Sequence, residues 1–343
     1  MRNFWRAFGF LTVTASCAWA QDFAQPGPFT ASRRDATVVR ANGSTFVATV
    51  HYPATAPAVG SPFDASSGPC PVIAFGHGFL SAVTLYQSTA SHLASWGFVV
   101  ALPQTQGGLF PSHPALAADM VSTLDWLAAQ SGASGSVWAG AIDGDRRGMM
   151  GHSMGAGCSM LAAASDPRVR AMVPMAPAET NPSSTQACAS IRAAVRILVG
   201  SQDSIVAPST ATPMFDNLLG DAQLVSITGG SHCGLMDSPI IACDSGSITR
   251  AQQLAIVRRE ATEFLLVELA GMDELRCQAW GEAGAGTVRE ERACADLDGD
   301  GTVGAGDLAV QLLNFGECAR GDLDDSGSVD GGDVALLLLQ WSS

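Results

Sequence analysis

The chain has 343 residues, 47% of them apolar and 15% charged, and a formal net charge of −14. That length and apolar content suit one to three folded domains with well-buried cores and exclude a disordered acidic polymer. Acidity without a basic stripe excludes a nucleic-acid binder that works by neutralising phosphates.

The first twenty residues carry Arg2 and Arg6, an apolar run, and then Ala18-Trp19-Ala20. A charged start, an apolar stretch too short to span a bilayer and an A-x-A-like site predict a signal peptide over 1–20, hence a secreted or cell-surface-associated protein. Loss of the two arginines would bring the mature charge to −16. Setting Cys17 aside leaves eight cysteines, an even number in an oxidising compartment, which predicts disulfides. Cys233 and Cys243 are spaced to staple a short loop, and Cys294 and Cys318 bracket an acidic repeat. Cys158 falls on a predicted buried helix and is equally a free thiol.

From 21 to 275, short apolar strands alternate with helical stretches. "TFVATVHYP" (45–53) alternates with period two, "PVIAFGHGF" (71–79) is an apolar run ending in glycines, and "YQSTASHLASW" (86–96) is helical. "GFVVALPQT" (97–105) reads as a buried strand, and "HPALAADMVSTLDWLAAQSG" (113–132) has apolar residues at helical spacing up to a glycine. "RRGMMGHS" (146–153) runs into a helix over 154–166; further strands are expected at 169–177, 195–203 and 222–230, and a long amphipathic helix at 248–271. This alternation predicts an α/β domain built on a mostly parallel, doubly covered sheet.

One strand-to-helix junction carries Gly151-His152-Ser153-Met154-Gly155, a G-x-S-x-G pattern. Random placement in so glycine- and serine-rich a chain gives about 0.4 such matches, so context must decide. An apolar strand before and small residues opening a helix after are the setting of a nucleophile elbow. A serine hydroxyl needs a base to take its proton. Of the six histidines only His232 lies beyond Ser153, in the glycine-rich turn "ITGGSHCG" after a strand. Among the acids between them (Asp166, Glu179, Asp203, Asp216 and Asp221), only Asp203 directly follows an apolar strand. Ser153, Asp203 and His232 thus stand in the Ser–acid–His order of an α/β-hydrolase triad. The backbone N–H of Met154 and, from the "AFGHGFLS" loop, that of Phe79 are the expected oxyanion-hole donors. His77 and His152 are expected to line the cleft, and Cys233 to pin the His232 loop.

These motifs, with "GFLSAVTLYQSTASHLASWGFVVALPQTQ", "GMMGHSMGAGCSMLAAASDPRVRAMVPMAP" and "SQDSIVAP", resemble those of secreted bacterial cutinases and polyethylene-terephthalate hydrolases, over about residues 26 to 276. More broadly they resemble chlorophyllase- and dienelactone-hydrolase-related esterases. The resemblance implies an α/β-hydrolase fold, the triad and oxyanion residues just named, and ester hydrolysis through an acyl-enzyme without a catalytic cofactor. The apolar Phe79, Leu80 and Met154 near the site suggest an ester substrate with an apolar acyl or aromatic part, and the catalytic domain is expected to be monomeric. The sequence departs from the polyester-degrading members by placing Ala178 where they carry a tryptophan, and Cys233 next to the base.

Glycine, alanine and charge dominate 276–293, which reads as a linker. Beyond it, "DLDGDGTVGAGDLAVQLLNFGE" and "DLDDSGSVDGGDVALLLLQWS" repeat with a period of 26 residues. Asp296, Asp298, Asp300 and Asp307 fall at positions 1, 3, 5 and 12 of the first loop, and Asp322, Asp324, Ser326 and Asp333 at those of the second. Thr302 and Ser328 offer backbone carbonyls, and Gly301 and Gly327 supply the sharp turn. Hard oxygen ligands at this spacing predict structural Ca²⁺. The repeats resemble type I dockerin modules, which implies a small all-α domain over 294–343 and a cohesin-like or cell-surface partner. Ala305-Gly306 and Gly331-Gly332 replace the usual Ser/Thr recognition pairs.

The leading expectation is a secreted serine carboxylesterase bearing a calcium-bound attachment module. A lipase or phospholipid acetylhydrolase is the alternative within the enzymes, and a non-catalytic extracellular binding or structural protein the alternative outside them.

Overall fold

A computed structural model describes residues 22–341 other than 282, 293–294, 296, 298–301, 318–319 and 325. The leader read over 1–20, and Cys294 and Cys318, lie outside the described residues.

The apolar runs assemble into one nine-stranded sheet of order β1-β2-β4-β3-β5-β6-β7-β8-β9. β1 (Ala31–Val39) and β2 (Thr45–Pro53) form an antiparallel pair, and β2 pairs antiparallel with β4 (Val99–Pro103). β3 (Cys70–Gly76), β4, β5 (Ile142–His152), β6 (Val169–Met175), β7 (Ala194–Gly200) and β8 (Ala222–Ile227) run parallel. β9 (Thr287–Arg292) closes the far edge, antiparallel to β8.

The inner strands are apolar throughout because both their faces are covered. Along β3, Val72 and Ala74 enter one core while Ile73 and Phe75 enter the other, and along β5 Met149 and Met150 divide the same way. Helix α1 (Gln87–Ser95) supplies Leu93 to the second core; α2 (His113–Gly132) and α3 (Met154–Ser165) supply Leu116, Met120 and Met160 to the first. The short α4 (Ser184–Ala187) and α5 (Ala211–Asn217) lie on the α3 side, where α5 adds Met214 and Phe215. The predicted C-terminal amphipathic helix is α6 (Arg250–Glu268); it brings Val257, Phe264 and Leu265 to the second core. A reciprocal cap starts it: the Thr249 hydroxyl accepts from the Gln252 N–H, and the Gln252 side chain accepts from the Thr249 N–H. Among the described residues no helix is long and apolar enough to cross a membrane.

The expected linker over 276–293 requires correction. It contains a short helix, α7 (Arg276–Trp280), and the six-residue edge strand β9. Its charged sequence "TVREER" conceals an inward set: Thr287, Arg289 and Glu291 are partly buried while Val288 points out. Arg289 donates to Ala279 O (2.9 Å), Gly281 O (2.8 Å) and the Glu260 carboxylate (3.0 Å). Arg196 of β7, fully buried, donates to Gln223 (2.6 Å), Glu260 (3.0 Å) and Glu263 (2.9 Å). Polar residues here face inward because a charge network, rather than apolar packing, joins β9 to the body.

Two further helices, α8 (Ala305–Leu313) and α9 (Gly331–Leu339), begin at matching points of the 26-residue repeat. Asp307 accepts from the N–H groups of Leu297 (2.5 Å) and Gly304 (2.6 Å); Asp333 accepts from those of Leu323 (2.6 Å) and Asp330 (2.6 Å). The repeat is therefore visible in its hydrogen bonds as well as in its letters.

Candidate active site

Ser153 sits between the end of β5 and the first residue of α3 with φ 57° and ψ −121°. A side chain in that region costs about 1–3 kcal/mol and persists only where the surroundings impose it. Here the Ser153 N–H donates to Met175 O (2.9 Å), and the Ser153 carbonyl accepts from the Ala178 N–H (3.1 Å). The flanking glycines let three backbones converge. A Cβ on Gly151 would lie 2.4 Å from Gly155 O, and one on Gly155 would lie 2.1 Å from Gly76 O.

β7 and β8 run parallel, so their carboxyl ends bring the Asp203 and His232 loops side by side. His232 Nδ1 lies 2.7 Å from Asp203 Oδ2, with both residues buried. The other Asp203 oxygen accepts from the N–H groups of Ile205 (2.9 Å) and Val206 (2.8 Å), which fixes the carboxylate plane. Ser153 and His232 border one cavity of about 240 Å³. Phe79, Leu80, Ile205, Met236, Ile240 and Ile241 make most of its wall apolar.

Met154 opens α3, where a helix leaves its first N–H groups without intrahelical acceptors. Phe79, half exposed, lies in the loop after β3, the strand next to β5. Both expected oxyanion residues thus flank Ser153 from adjacent strand ends. Inside the loop, the Gly78 N–H donates to the Tyr86 hydroxyl (3.1 Å), which lies 3.0 Å from His152 Nδ1. His152 is on the cavity wall as expected, whereas His77 turns away. The two His77 ring nitrogens sit 2.8 Å from Gly78 O and 2.6 Å from Thr105 O. Burial, and then the nearby His232, push the His152 pKa far below the usual histidine value, so a neutral ring lies tilted against that of His232, with centroids 4.4 Å apart.

Tyr86 and Asp244 carry no signature a sequence reader would find. Asp244 accepts from the backbone N–H groups of His232 (2.9 Å), Cys233 (2.9 Å) and Ser204 (3.1 Å). The expected staple is present: Cys233 and Cys243 are bridged, with Cα atoms 5.6 Å apart. Cys277 is also disulfide-bonded. Cys70, Cys158 and Cys188 are free and buried, so full pairing of the eight is not observed; burial pushes the Cys158 and Cys188 thiols up to about 12.

In the second repeat, carboxylate oxygens of Asp322, Asp324 and Asp333 lie within 4.8 Å of one another, close enough to share a metal ion. Gly327, at φ 93°, makes the turn, and its N–H donates to Asp322 (2.8 Å). Ser326 and Ser328 lie on the same loop, where the Ser326 hydroxyl donates to the Ser328 carbonyl (3.1 Å). In the first repeat Thr302 and Asp307 are described, while Asp296, Asp298, Asp300 and Gly301 lie outside the described residues.

Residues 16–243 match the family described as PET hydrolase-like. The chain is 29% identical over 179 residues to a bis(hydroxyethyl) terephthalate hydrolase of Streptomyces coelicolor, covering 50% of this chain and 53% of that protein. It is 28% identical over 208 residues to Lipase 1 of a Moraxella species, covering 60% of this chain and 59% of that one. The chain thus spans between half and three fifths of the length of these curated relatives.

Proposed function

Because the chain belongs to the PET hydrolase-like family, we propose that it is a serine carboxylesterase acting through Ser153, His232 and Asp203. The observation that carries this reading is the pairing of His232 Nδ1 with Asp203 at 2.7 Å beside a strained Ser153 on the same cavity. With Nδ1 engaged, Nε2 is the nitrogen that accepts a proton. His232 takes the Ser153 hydroxyl proton as Oγ bonds to the ester carbonyl carbon, and the N–H groups of Met154 and Phe79 receive the oxyanion. Collapse breaks the bond to the alcohol, which leaves with the proton from His232. Water, deprotonated by the same ring, then attacks the acyl-enzyme and releases the acid. Asp203 orients the imidazole and stabilises its cation throughout.

The apolar cavity wall supports esters with an apolar acyl or aromatic part as substrates. With Ala178 behind the nucleophile, that wall comes from the Phe79–Leu80 loop and from Ile205, Ile240 and Ile241. Export through the leader over 1–20 agrees with the Cys233–Cys243 bridge. The two acidic loops are proposed to hold structural Ca²⁺: Asp322, Asp324, Ser326, Ser328 and Asp333 in one, and Asp296, Asp298, Asp300, Thr302 and Asp307 in the other. Bound there, the ion would neutralise converging carboxylates and order the repeats as an attachment module for a cohesin-like or cell-surface partner.

Hydrolysis of p-nitrophenyl esters of graded acyl length tests the reading. Wild type is expected to be active, and Ser153→Ala to lose roughly 10⁵-fold or more in kcat. Wild-type inactivity at every acyl length, or an active Ser153→Ala variant, would overturn it.

A further inference from the structure

We propose that Asp244 is a positioning residue that locks the loop carrying His232 onto the loop carrying Asp203. It rests on the esterase reading only for its kinetic consequence. The geometry is independent of it.

One oxygen of Asp244 accepts from the N–H of His232 (2.9 Å) and of Ser204 (3.1 Å), the residue after Asp203. Its other oxygen accepts from Cys233 N–H (2.9 Å). A single carboxylate therefore binds the backbone of the base, of the residue beyond it and of the residue beyond the acid. Bonds from N–H groups to an ionised carboxylate are about twice as strong as neutral ones. Burial would raise the Asp244 pKa, but these bonds from Cys233, His232 and Ser204 outweigh it and hold the carboxyl below the usual range.

The rest of the base loop is held from other sides. Arg250 donates to the carbonyls of Cys233 and Met236, and Gln253 pairs with both backbone groups of Ser231 (3.0 and 2.7 Å). None of these groups reaches the acid loop. The two loops also meet nearer the strand ends, where the Gly229 N–H donates to the Ser201 hydroxyl (2.8 Å) and the Gln202 N–H to the Gly230 carbonyl (2.8 Å). Asp244 joins them at the backbone of His232 and next to Asp203, without using the imidazole. The bridge explains how it gets there. Asp244 follows Cys243, so closing Cys233 to Cys243 returns the chain to the base with this carboxylate next in line. Misplacing a catalytic group by about 1 Å can cost on the order of 100-fold in rate, and the bond to Asp203 spans only 2.7 Å.

Low-field proton NMR on the full-length protein reads the His232 Nδ1–H···Asp203 bond without turnover. Wild type is expected to show the resonance, and Asp244→Ala to lose or broaden it. Asp244→Asn, which keeps an acceptor oxygen for His232 and Ser204, should retain it. In ester hydrolysis, Asp244→Ala should lower kcat about 10- to 100-fold with KM within about twofold, and Asp244→Asn should recover most of the loss. Far-ultraviolet circular dichroism confirms that each variant is folded. An unaltered resonance in folded Asp244→Ala, a wild type without the resonance, or a loss carried by KM with kcat intact would each overturn the proposal. A wild type inert toward esters whose resonance still depends on Asp244 would overturn the esterase reading and uphold the clamp.

Discussion

Gly155 packs against the loop after β3 more closely than a residue with a side chain can. Its missing Cβ would lie 2.1 Å from the Gly76 carbonyl and 2.5 Å from that of His77, both backbone atoms. Gly155→Ala must therefore push α3 away from the loop that carries Phe79. Overpacking of this kind costs about 1–3 kcal/mol, measurable by urea unfolding, and the displaced loop should cut esterase activity well beyond the loss of folded protein. Stability and activity equal to wild type would show that the close approach is dispensable. At this scale much of the site was legible. Ser153 was marked by glycines that the backbone needs, His232 by being the sole histidine downstream, and Asp203 by its strand end. Asp244 was not, because it acts through backbone N–H groups brought near by a disulfide, and nothing in a row of letters records where those groups point.

At the scale of elements, legibility followed burial. Strands covered on both faces wrote themselves as apolar runs, and α2 and α6 announced their spacing, whereas the cap that starts α6 did not stand out. β1 and β9 lie at the sheet edges, where polar sequences pair as readily as apolar ones. β9 is held by Arg289 and Glu291, joined through Glu260 and Gln223 to the buried Arg196. Burial lifts the Glu263 carboxyl to about 7, against the pull of the adjacent Arg196. Arg196→Ala takes from the buried Glu263 its nearest cation, leaving Arg289 at 3.6 Å, and takes from Glu260 one of three. It should cost up to about 3–5 kcal/mol in denaturant unfolding at neutral pH. A loss under 1 kcal/mol would mean the network contributes little. By the same argument the folded unit extends beyond 275. A chain cut there loses β9 and should melt below one cut after 292, whereas a true linker would make the two alike.

For the whole molecule, three buried histidines set the response to acid. Burial and Arg33 push His51 down to about 4, burial and Arg258 do the same to His92, and burial with His232 takes His152 well below the ordinary value of 6.5. In the unfolded chain all three bind protons near 6.5. Between about 6.5 and about 4 the unfolded state therefore holds more protons than the folded one, and stability must fall as pH falls through that window. Each histidine contributes a slope approaching about 1.4 kcal/mol per pH unit. Glu263, raised to about 7 in the folded state, opposes one of them between 7 and its ordinary value near 4.5, so the net slope approaches about 3 kcal/mol per unit. Below about 4 His51 and His92 protonate in the folded state too, and their share of the loss levels off. Carboxylates such as Asp244, whose folded pKa is depressed, act in a separate window. Their stabilisation is complete above the ordinary carboxylate value near 4 and is lost only as pH falls further. Urea unfolding at intervals from pH 7 to pH 5 should show the histidine slope. His92→Gln keeps a donor for the Phe23 carbonyl that His92 meets at 3.0 Å, and should remove about half of the slope. A stability that stays flat from pH 7 to pH 5, or a slope untouched by His92→Gln, would show that acid sensitivity arises elsewhere in the molecule.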